Sequence, residues 1–163
     1  MVKILFVCHG NICRSPMAEF LFRDLAEKAG LSDRVRVASA ATSAEEIGNP
    51  VYPLARRKLA QLGISTDGKT AVQLTRQDYD RWDYLIGMEH YNLRNMLRIF
   101  GGDAQGKLRL LLDFTDRPGE IDDPWYTGDF DTACSEILRG CEGLLAHLRR
   151  TGALDGLGGC LIF

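Results

Sequence analysis

The most informative part of the chain, residues 4–16, reads Ile4-Leu5-Phe6-Val7-Cys8-His9-Gly10-Asn11-Ile12-Cys13-Arg14-Ser15-Pro16. Its first four residues are apolar and predict a buried β-strand. Its last two are typical of a helix N-cap followed by the first helical residue. The stretch therefore predicts a strand, a tight loop and the start of a helix.

The predicted loop has the features of an anion-binding site. A loop between a strand and a helix turns successive backbone N–H groups inward, and the helix dipole adds positive charge, so the loop suits phosphate. Cys8 at its entrance lies in a field that stabilises the thiolate, which is the nucleophilic form of cysteine. Arg14 has a planar guanidinium that can hold two phosphate oxygens at once. These parts are typical of a cysteine-dependent phosphatase.

The Cys-x5-Arg-Ser motif of residues 8–15 resembles the signature of the low-molecular-weight protein tyrosine phosphatases. The resemblance continues through residues 39–42 (Ser-Ala-Ala-Thr) and 48–50 (Gly-Asn-Pro) to Asp122-Asp123-Pro124-Trp125-Tyr126. It covers roughly residues 2–150, the family's usual domain size. It implies hydrolysis of phosphotyrosine, or of other aryl phosphate monoesters, through a cysteinyl-phosphate intermediate.

The resemblance assigns the chemistry to three residues, with Cys8 as the nucleophile and Arg14 as the phosphate clamp. The reaction also needs a general acid, because a phenolate is a poor leaving group unless it is protonated as the P–O bond breaks. In the family the residue directly before the proline is this acid, which indicates Asp123 here and makes Asp122 its neighbour. The same carboxyl group then deprotonates the water that releases phosphate.

The other candidate site residues are expected to bind the phosphate or the substrate ring, and they are His9, Gly10, Asn11, Ile12, Cys13, Ser15, Trp125 and Tyr126. The Ser15 hydroxyl can donate to the Cys8 sulfur while it caps the helix. Asn11 tolerates a left-handed backbone, and in the family it holds the shape of the loop. The two aromatic residues of the acid loop are expected to form walls of the pocket.

Two positions in the loop bear on regulation and specificity. The resemblance implies a reversible disulfide between Cys13 and Cys8 that protects the nucleophile from irreversible oxidation. It also bears on Ile12, because the related protein-arginine phosphatases have a threonine at this position. Ile12 therefore favours phosphotyrosine as the substrate.

Four positions depart from the family pattern. Glu45 stands near a position that is commonly aromatic, and Tyr52 replaces a usual aspartate. Lys69 stands for a supporting histidine, and Glu89 for the aspartate after the third strand. We expect these changes to leave the reaction intact and to affect substrate preference or activity level, with Glu45 repelling highly acidic phosphopeptides.

Apolar runs alternate with helical patterns, which predicts a single-domain α/β fold with a four-stranded parallel sheet and helices on both faces, as in the phosphotyrosine phosphatase I-like fold of the family. Predicted strands span residues 3–8, 35–40, 84–88 and 108–112, and predicted helices span 16–29, 53–62, 90–100 and 130–150, with a short helical turn near 75–80. Glycines 30, 63 and 101 are expected to end three of the helices. The phosphatase domain is assigned to residues 1–150 and a C-terminal tail to 151–163.

Composition describes an ordinary globular protein of 163 residues, 45% of them hydrophobic and 26% charged. The net charge of −2 does not indicate the positively charged surface that nucleic-acid-binding proteins have. We expect no signal peptide and no membrane span, and five cysteines without zinc-site spacing indicate a reduced, cytoplasmic compartment. The C-terminal residues 160–163 formally match a prenylation box, but no polybasic stretch precedes them and we expect no lipidation.

The expected partners are phosphotyrosine-containing proteins or small aryl phosphates, with inorganic phosphate as the product and no nucleic acid or membrane. The protein is expected to be a monomer. No metal and no other cofactor is expected, since the phosphate loop supplies the positive charge.

Three alternatives stay open. An arsenate reductase of the same fold would need further redox cysteines after the third strand, and residues 82–89 contain none. A protein-arginine phosphatase would use the same loop on another substrate. A catalytically idle phosphate-binding module, the alternative from another class, would not turn over p-nitrophenyl phosphate in EDTA.

Overall fold

The computed structural model describes residues 1–155 and has a four-stranded parallel sheet at its centre. The strands are β1 (Val2–Cys8), β2 (Val35–Ala41), β3 (Tyr84–Gly87) and β4 (Leu108–Leu110), arranged in the order β2-β1-β3-β4. Because β1 lies between β2 and β3, its carboxyl end is the point where the strand order reverses. Ligands of open α/β sheets bind at such points.

Among residues 1–155, six α-helices connect and cover the strands, and the predicted fold class is confirmed. They are α1 (Arg14–Lys28), α2 (Pro53–Gln61), α3 (Asp78–Arg81), α4 (His90–Phe100), α5 (Pro124–Thr127) and α6 (Phe130–Arg150). No helix among residues 1–155 has both the length and the apolar character needed to cross a membrane. The end of the predicted tail, residues 156–163 with the prenylation-box match, lies outside the described residues.

The side chains of β1 alternate between two apolar cores. Ile4 and Phe6 pack with α1, α2 and α6 on one face of the sheet. Leu5 and Val7 pack with residues of α4 on the other face, among them Met96. All four side chains are nearly inaccessible to solvent, which explains why β1 is a continuous apolar run rather than an alternating one.

Local sequence signals placed most helix ends correctly. Helix α6 has the predicted bounds, and α1 ends where Gly30 takes a left-handed conformation with φ of +73°. The N–H of Leu31 then donates to the carbonyl of Ala26 at 2.8 Å, a closing bond that only a residue comfortable at positive φ permits.

The predicted end of β4 and the predicted start of α1 are each wrong by two residues. Strand β4 ends at Leu110 rather than at residue 112, because the Asp113 carboxylate accepts from the Leu110 N–H and the chain turns into a 3₁₀ helix, Leu111–Phe114. Ser15 does not cap α1, which begins at Arg14, and no capping side chain accepts a hydrogen bond from the first N–H groups of this helix. The Ser15 hydroxyl is engaged with other partners in the loop.

Candidate active site

The loop between β1 and α1 folds around the sulfur of Cys8. The Asn11 N–H donates to Cys8 Sγ at 3.3 Å, and Ser15 Oγ lies 3.0 Å from the same sulfur. Ser15 Oγ also accepts a hydrogen bond from the Asn11 side-chain amide at 2.8 Å. Its own hydrogen is therefore free to point at the sulfur, so two hydrogen-bond donors converge on the Cys8 sulfur.

Asn11 holds the loop in shape. As predicted, it adopts a left-handed backbone, with φ of 60°, and it is the only non-glycine residue with positive φ among residues 1–155. Its buried side chain donates to Ser15 and to Ser39 Oγ at 2.9 Å, and accepts from the Val72 N–H at 3.1 Å. One side chain thus links the loop to β2 and to the segment that follows α2.

A second layer of polar side chains supports Asn11. Ser39 Oγ donates to the buried carboxylate of Glu19 on α1 at 2.5 Å. The Lys69 ammonium donates to the Ser39 carbonyl at 3.0 Å and lies 3.7 Å from the Glu19 carboxylate. Burial lowers the pKa of Lys69, and the negative charge of Glu19 opposes that shift. Lys69 therefore supports the loop indirectly, where the resemblance had indicated a histidine.

The guanidinium of Arg14 is buried, with 2% of its side chain exposed. Its Nη1 donates to Glu89 at 2.5 Å and to the Ile121 carbonyl at 2.8 Å, while Nη2 lies 3.3 Å from Asp123 Oδ2. Burial lowers the pKa of Arg14, but the negative charges of Cys8, Asp123 and Glu89 outweigh it and leave the pKa above its ordinary value. Glu89 thus orients Arg14 from the position where the family has an aspartate.

The two neighbouring aspartates of the acid loop lie in different places. Asp123 caps the short helix α5, where its Oδ1 accepts from the Trp125 N–H at 3.0 Å, and its other oxygen faces Arg14. Asp123 lines the cavity that also contains Cys8. Asp122 is exposed and lines only an adjoining cavity. Of the two carboxylates, Asp123 is the one that shares a cavity with the sulfur.

The cavity above the loop has a volume of about 140 Å³. It is lined by Cys8, His9, Gly10, Asn11, Ile12, Cys13, Arg14, Glu45, Glu46, Asp123, Trp125 and Tyr126. All the sequence-predicted site residues therefore meet here except Ser15, which lies fully buried behind the sulfur. Sequence reasoning missed Glu46, although its neighbour Glu45 in the same segment was singled out.

Aromatic side chains form one wall of the cavity. Trp125 and Tyr126 are 52% and 83% exposed, so their rings are accessible to a ligand. The ring of Tyr52 lies edge-on against Trp125 with centroids 5.0 Å apart, and it stacks on Phe130 at 5.8 Å. Tyr52, a departure from the family pattern, therefore braces Trp125 from behind.

Cys13 lies in the loop as a buried thiol, and the cysteines among the described residues are not disulfide-bonded. Burial, followed by the negative charges of Cys8 and Asp123, raises the pKa of Cys13 to about 12. Cys13 is therefore protonated at neutral pH. Within residues 1–155, no group of three His, Cys, Asp or Glu side chains is arranged to hold a metal ion.

Comparison with known proteins agrees with this geometry. A family model described as low molecular weight phosphotyrosine protein phosphatase matches residues 3–154. The low molecular weight protein-tyrosine-phosphatase YfkJ of Bacillus subtilis is 41% identical over 152 residues, which span 92% of this chain and 97% of the relative. The human low molecular weight phosphotyrosine protein phosphatase is 37% identical over 88% of this chain and 93% of its own.

Solved structures give the same result. The crystal structure of YfkJ superimposes with a TM-score of 0.90 over 93% of this chain and 96% of that one, at 41% identity. The structure of a Drosophila arginine phosphatase superimposes with a TM-score of 0.83 over 91% of this chain and 98% of that one, at 30% identity. By sequence, fold and loop geometry, the chain belongs to the low molecular weight phosphotyrosine protein phosphatase family.

Proposed function

We propose that this protein hydrolyses phosphotyrosine and related aryl phosphate monoesters, with Cys8 as the nucleophile, Arg14 as the phosphate clamp and Asp123 as the general acid and base. The observation that carries the proposal is the convergence of all three on one small cavity, with the Cys8 sulfur at hydrogen-bonding distance from the Asn11 N–H and the Ser15 hydroxyl. This is the arrangement that covalent catalysis by a thiolate requires.

In the first step, the Cys8 thiolate attacks phosphorus in line with the bond to the phenol oxygen. An S–P bond forms as the P–O bond breaks, and Asp123 transfers its proton to the departing oxygen. Nη1 of Arg14 already donates to Glu89 and to the Ile121 carbonyl. The edge formed by Nε and Nη2 is therefore the one that holds two phosphate oxygens. Backbone N–H groups of the loop bind the remaining charge.

In the second step, a water molecule attacks the phosphorus of the cysteinyl-phosphate. Asp123, now a carboxylate, accepts a proton from the water, and the S–P bond breaks to release inorganic phosphate. The leaving group is the Cys8 thiolate, so the hydrogen bonds from Ser15 and Asn11 stabilise the charge that develops on sulfur. Both steps therefore use the same small set of side chains.

Two features support an aromatic substrate. The wall formed by Trp125 and Tyr126 offers exposed rings for a phenyl group to stack on. Ile12 adds an apolar surface at the position where the resemblance leads us to expect threonine in an arginine phosphatase. An arsenate reductase is not favoured, because Cys134 and Cys141 are buried on α6 and burial raises the pKa of each.

The test is turnover of p-nitrophenyl phosphate, phosphotyrosine and phosphoarginine in EDTA, with Cys8→Ser as the matched control. The wild-type protein should hydrolyse both aryl phosphates and prefer phosphotyrosine to phosphoarginine. Cys8→Ser should lose turnover but still bind vanadate, since only the nucleophile is changed. Near-normal turnover by Cys8→Ser would refute the covalent mechanism, and preference for phosphoarginine would reassign the substrate.

We further propose that the protein acts as a cytoplasmic monomer on tyrosine-phosphorylated proteins, with a catalytic domain of residues 1–150 followed by a tail of residues 151–163. The odd number of cysteines, five, and their spacing, which matches no zinc site, support a reduced compartment. The first tail residues stay close to the domain, because Leu154 is buried and its carbonyl accepts from Arg34 at 2.5 Å. Size-exclusion chromatography with light scattering tests the monomer.

A further inference from the structure

The mouth of the cavity carries two carboxylates that the proposed mechanism does not use, Glu45 and Glu46. Glu45 is largely exposed, with 69% of its side chain accessible, and one of its oxygens lies 2.7 Å from His9 Nε2. Glu46 lies over the phosphate loop, where its Cγ would be 3.5 Å from a Cβ built on Gly10. Its carboxylate accepts from the Asn49 side-chain amide at 2.6 Å.

The side-chain partners of the two carboxylates are a histidine ring for Glu45 and a neutral amide, that of Asn49, for Glu46. His9 Nδ1 is buried and has no hydrogen-bond partner among residues 1–155, so the contact with Glu45 is made by Nε2. Within the described part of the chain, neither carboxylate has a Lys or Arg within 4.0 Å.

The cavity is therefore polarised from its floor to its mouth. At the floor, Arg14 and the loop N–H groups favour a dianionic phosphate. At the mouth, the two glutamates favour a cation, and the charge of Glu46 extends inward far enough to help raise the pKa of Cys13. A phosphotyrosine ring held against Trp125 would place the neighbouring residues of a substrate beside this negative surface.

We propose that Glu45, with Glu46 beside it, selects phosphotyrosine substrates that carry Lys or Arg next to the phosphotyrosine. The inference rests on the proposed function and specifies its substrate class. His9 is a positioning residue that holds the Glu45 carboxylate at the mouth of the cavity. Exposed ion pairs are individually weak, so the expected preference is about three- to fivefold in kcat/KM for each favourable pair.

The experiment compares three peptides that differ only in the residues flanking phosphotyrosine, which are Lys, Ala or Glu. The wild-type protein should prefer the Lys peptide to the Glu peptide by about tenfold at low salt, because one gains attraction and the other meets repulsion. Glu45→Gln should reduce this ratio about threefold, and Glu45→Lys should reduce it further. High salt should bring all ratios towards one.

The matched control is Glu27→Gln, which makes the same chemical change on an exposed residue in the last turn of α1, about 20 Å along the helix from the loop. Its Lys-to-Glu ratio should equal that of the wild type. Each ratio is taken within one variant, so a general loss of activity or stability cancels. An unchanged ratio in Glu45→Gln, or a wild-type protein without preference, overturns the inference.

The outcomes separate this inference from the proposed function. Equal hydrolysis of all three peptides by the wild type overturns only the inference and leaves the phosphatase reaction standing. Absence of hydrolysis of every peptide, together with no turnover of p-nitrophenyl phosphate, overturns both. A preference for the Glu peptide would assign the opposite substrate class.

Discussion

Replacing Asn11 by alanine tests how the loop holds the nucleophile ready. The change removes three side-chain hydrogen bonds, to Ser15, Ser39 and the Val72 N–H, all at 3.1 Å or less. Each such bond contributes about 1 kcal/mol, and the left-handed backbone at residue 11 costs an alanine about 1 kcal/mol more than an asparagine. The sum is a loss of about 3–5 kcal/mol in the free energy of unfolding.

Two measurements check this value. Thermal unfolding should show a Tm lower by about 6–20 °C, since 1 kcal/mol corresponds to about 2–4 °C for a domain of this size. Steady-state kinetics should show a lower kcat, because Ser15 loses the donor that fixes its hydroxyl towards the Cys8 sulfur. The kinetic loss should be largest in hydrolysis of the phosphoenzyme, where that sulfur is the leaving group.

Asn11→Gly separates the two contributions to the loss. Glycine adopts positive φ without strain but has no side chain, so this variant should recover only the backbone part, about 1 kcal/mol. Ser39→Ala removes one of the three partners of Asn11 together with the hydrogen bond that Ser39 donates to Glu19, so it should lose about 2 kcal/mol, less than Asn11→Ala. Two results would contradict the role given to these hydrogen bonds. The first is a Tm for Asn11→Ala within about 2 °C of the wild type, which is about the shift expected from 1 kcal/mol. The second is full recovery of stability and kcat in Asn11→Gly.

Three further predictions concern the chemistry. Asp123→Ala should slow phosphotyrosine hydrolysis by about two to four orders of magnitude and should flatten the alkaline limb of the pH–rate profile. Hydrolysis of an aryl phosphate with a very acidic phenol should slow less. Asp122→Ala should have little effect, and the reverse pattern would show that Asp122 is the general acid. Arg14→Lys should be severely impaired in kcat with p-nitrophenyl phosphate, because a point ammonium cannot replace a planar fork, and normal kcat would show that Arg14 is not the clamp. Mild peroxide should inactivate the enzyme by oxidising Cys8 to a sulfenic acid, which Cys13 attacks to form a disulfide and water. Dithiothreitol should reduce this disulfide and restore activity. Mass spectrometry that finds only Cys8 sulfonate, and no linked peptide, would contradict this prediction.

The peroxide prediction also follows from the charge around Cys13. Burial and the neighbouring Cys8 thiolate keep the Cys13 thiol protonated while the enzyme is active. Oxidation of Cys8 to a neutral sulfenic acid removes that negative charge, which is the second-largest cause of the raised pKa after burial. The Cys13 thiol is therefore easier to deprotonate once Cys8 is oxidised.

Signals that depend on neighbouring residues in the sequence were the most reliable. Gly30 marks the end of α1 because the left-handed turn is a local requirement, and the apolar stripe of α6 gives its bounds directly. Ser15 shows the opposite case. Its sequence context is that of a helix cap, but contacts with Asn11 and Cys8 in the folded loop engage its hydroxyl instead.

The parts of the site that the sequence could not predict are contacts between distant segments. Glu19, Ser39 and Lys69 come from α1, β2 and the loop after α2, and only the folded sheet brings them together. A charged residue on an otherwise buried face of α1 was the one signal for Glu19. Likewise, the sequence shows only that Tyr52 departs from the family pattern. The contact between its ring and that of Trp125 is seen only in the folded structure.

The proposed mechanism requires that the phosphoryl group be transferred to the sulfur of Cys8. To test this, the enzyme is mixed with excess p-nitrophenyl phosphate and quenched in acid within the first turnovers. Peptide mass spectrometry then locates the phosphoryl group. Cys8→Ser and Asp122→Ala serve as controls. A phosphoryl group is expected on Cys8 in the wild type and in Asp122→Ala, formed in a burst equivalent to one phenolate per active site. Steady turnover without a burst and without phosphate on Cys8, or turnover that persists in Cys8→Ser, would contradict it.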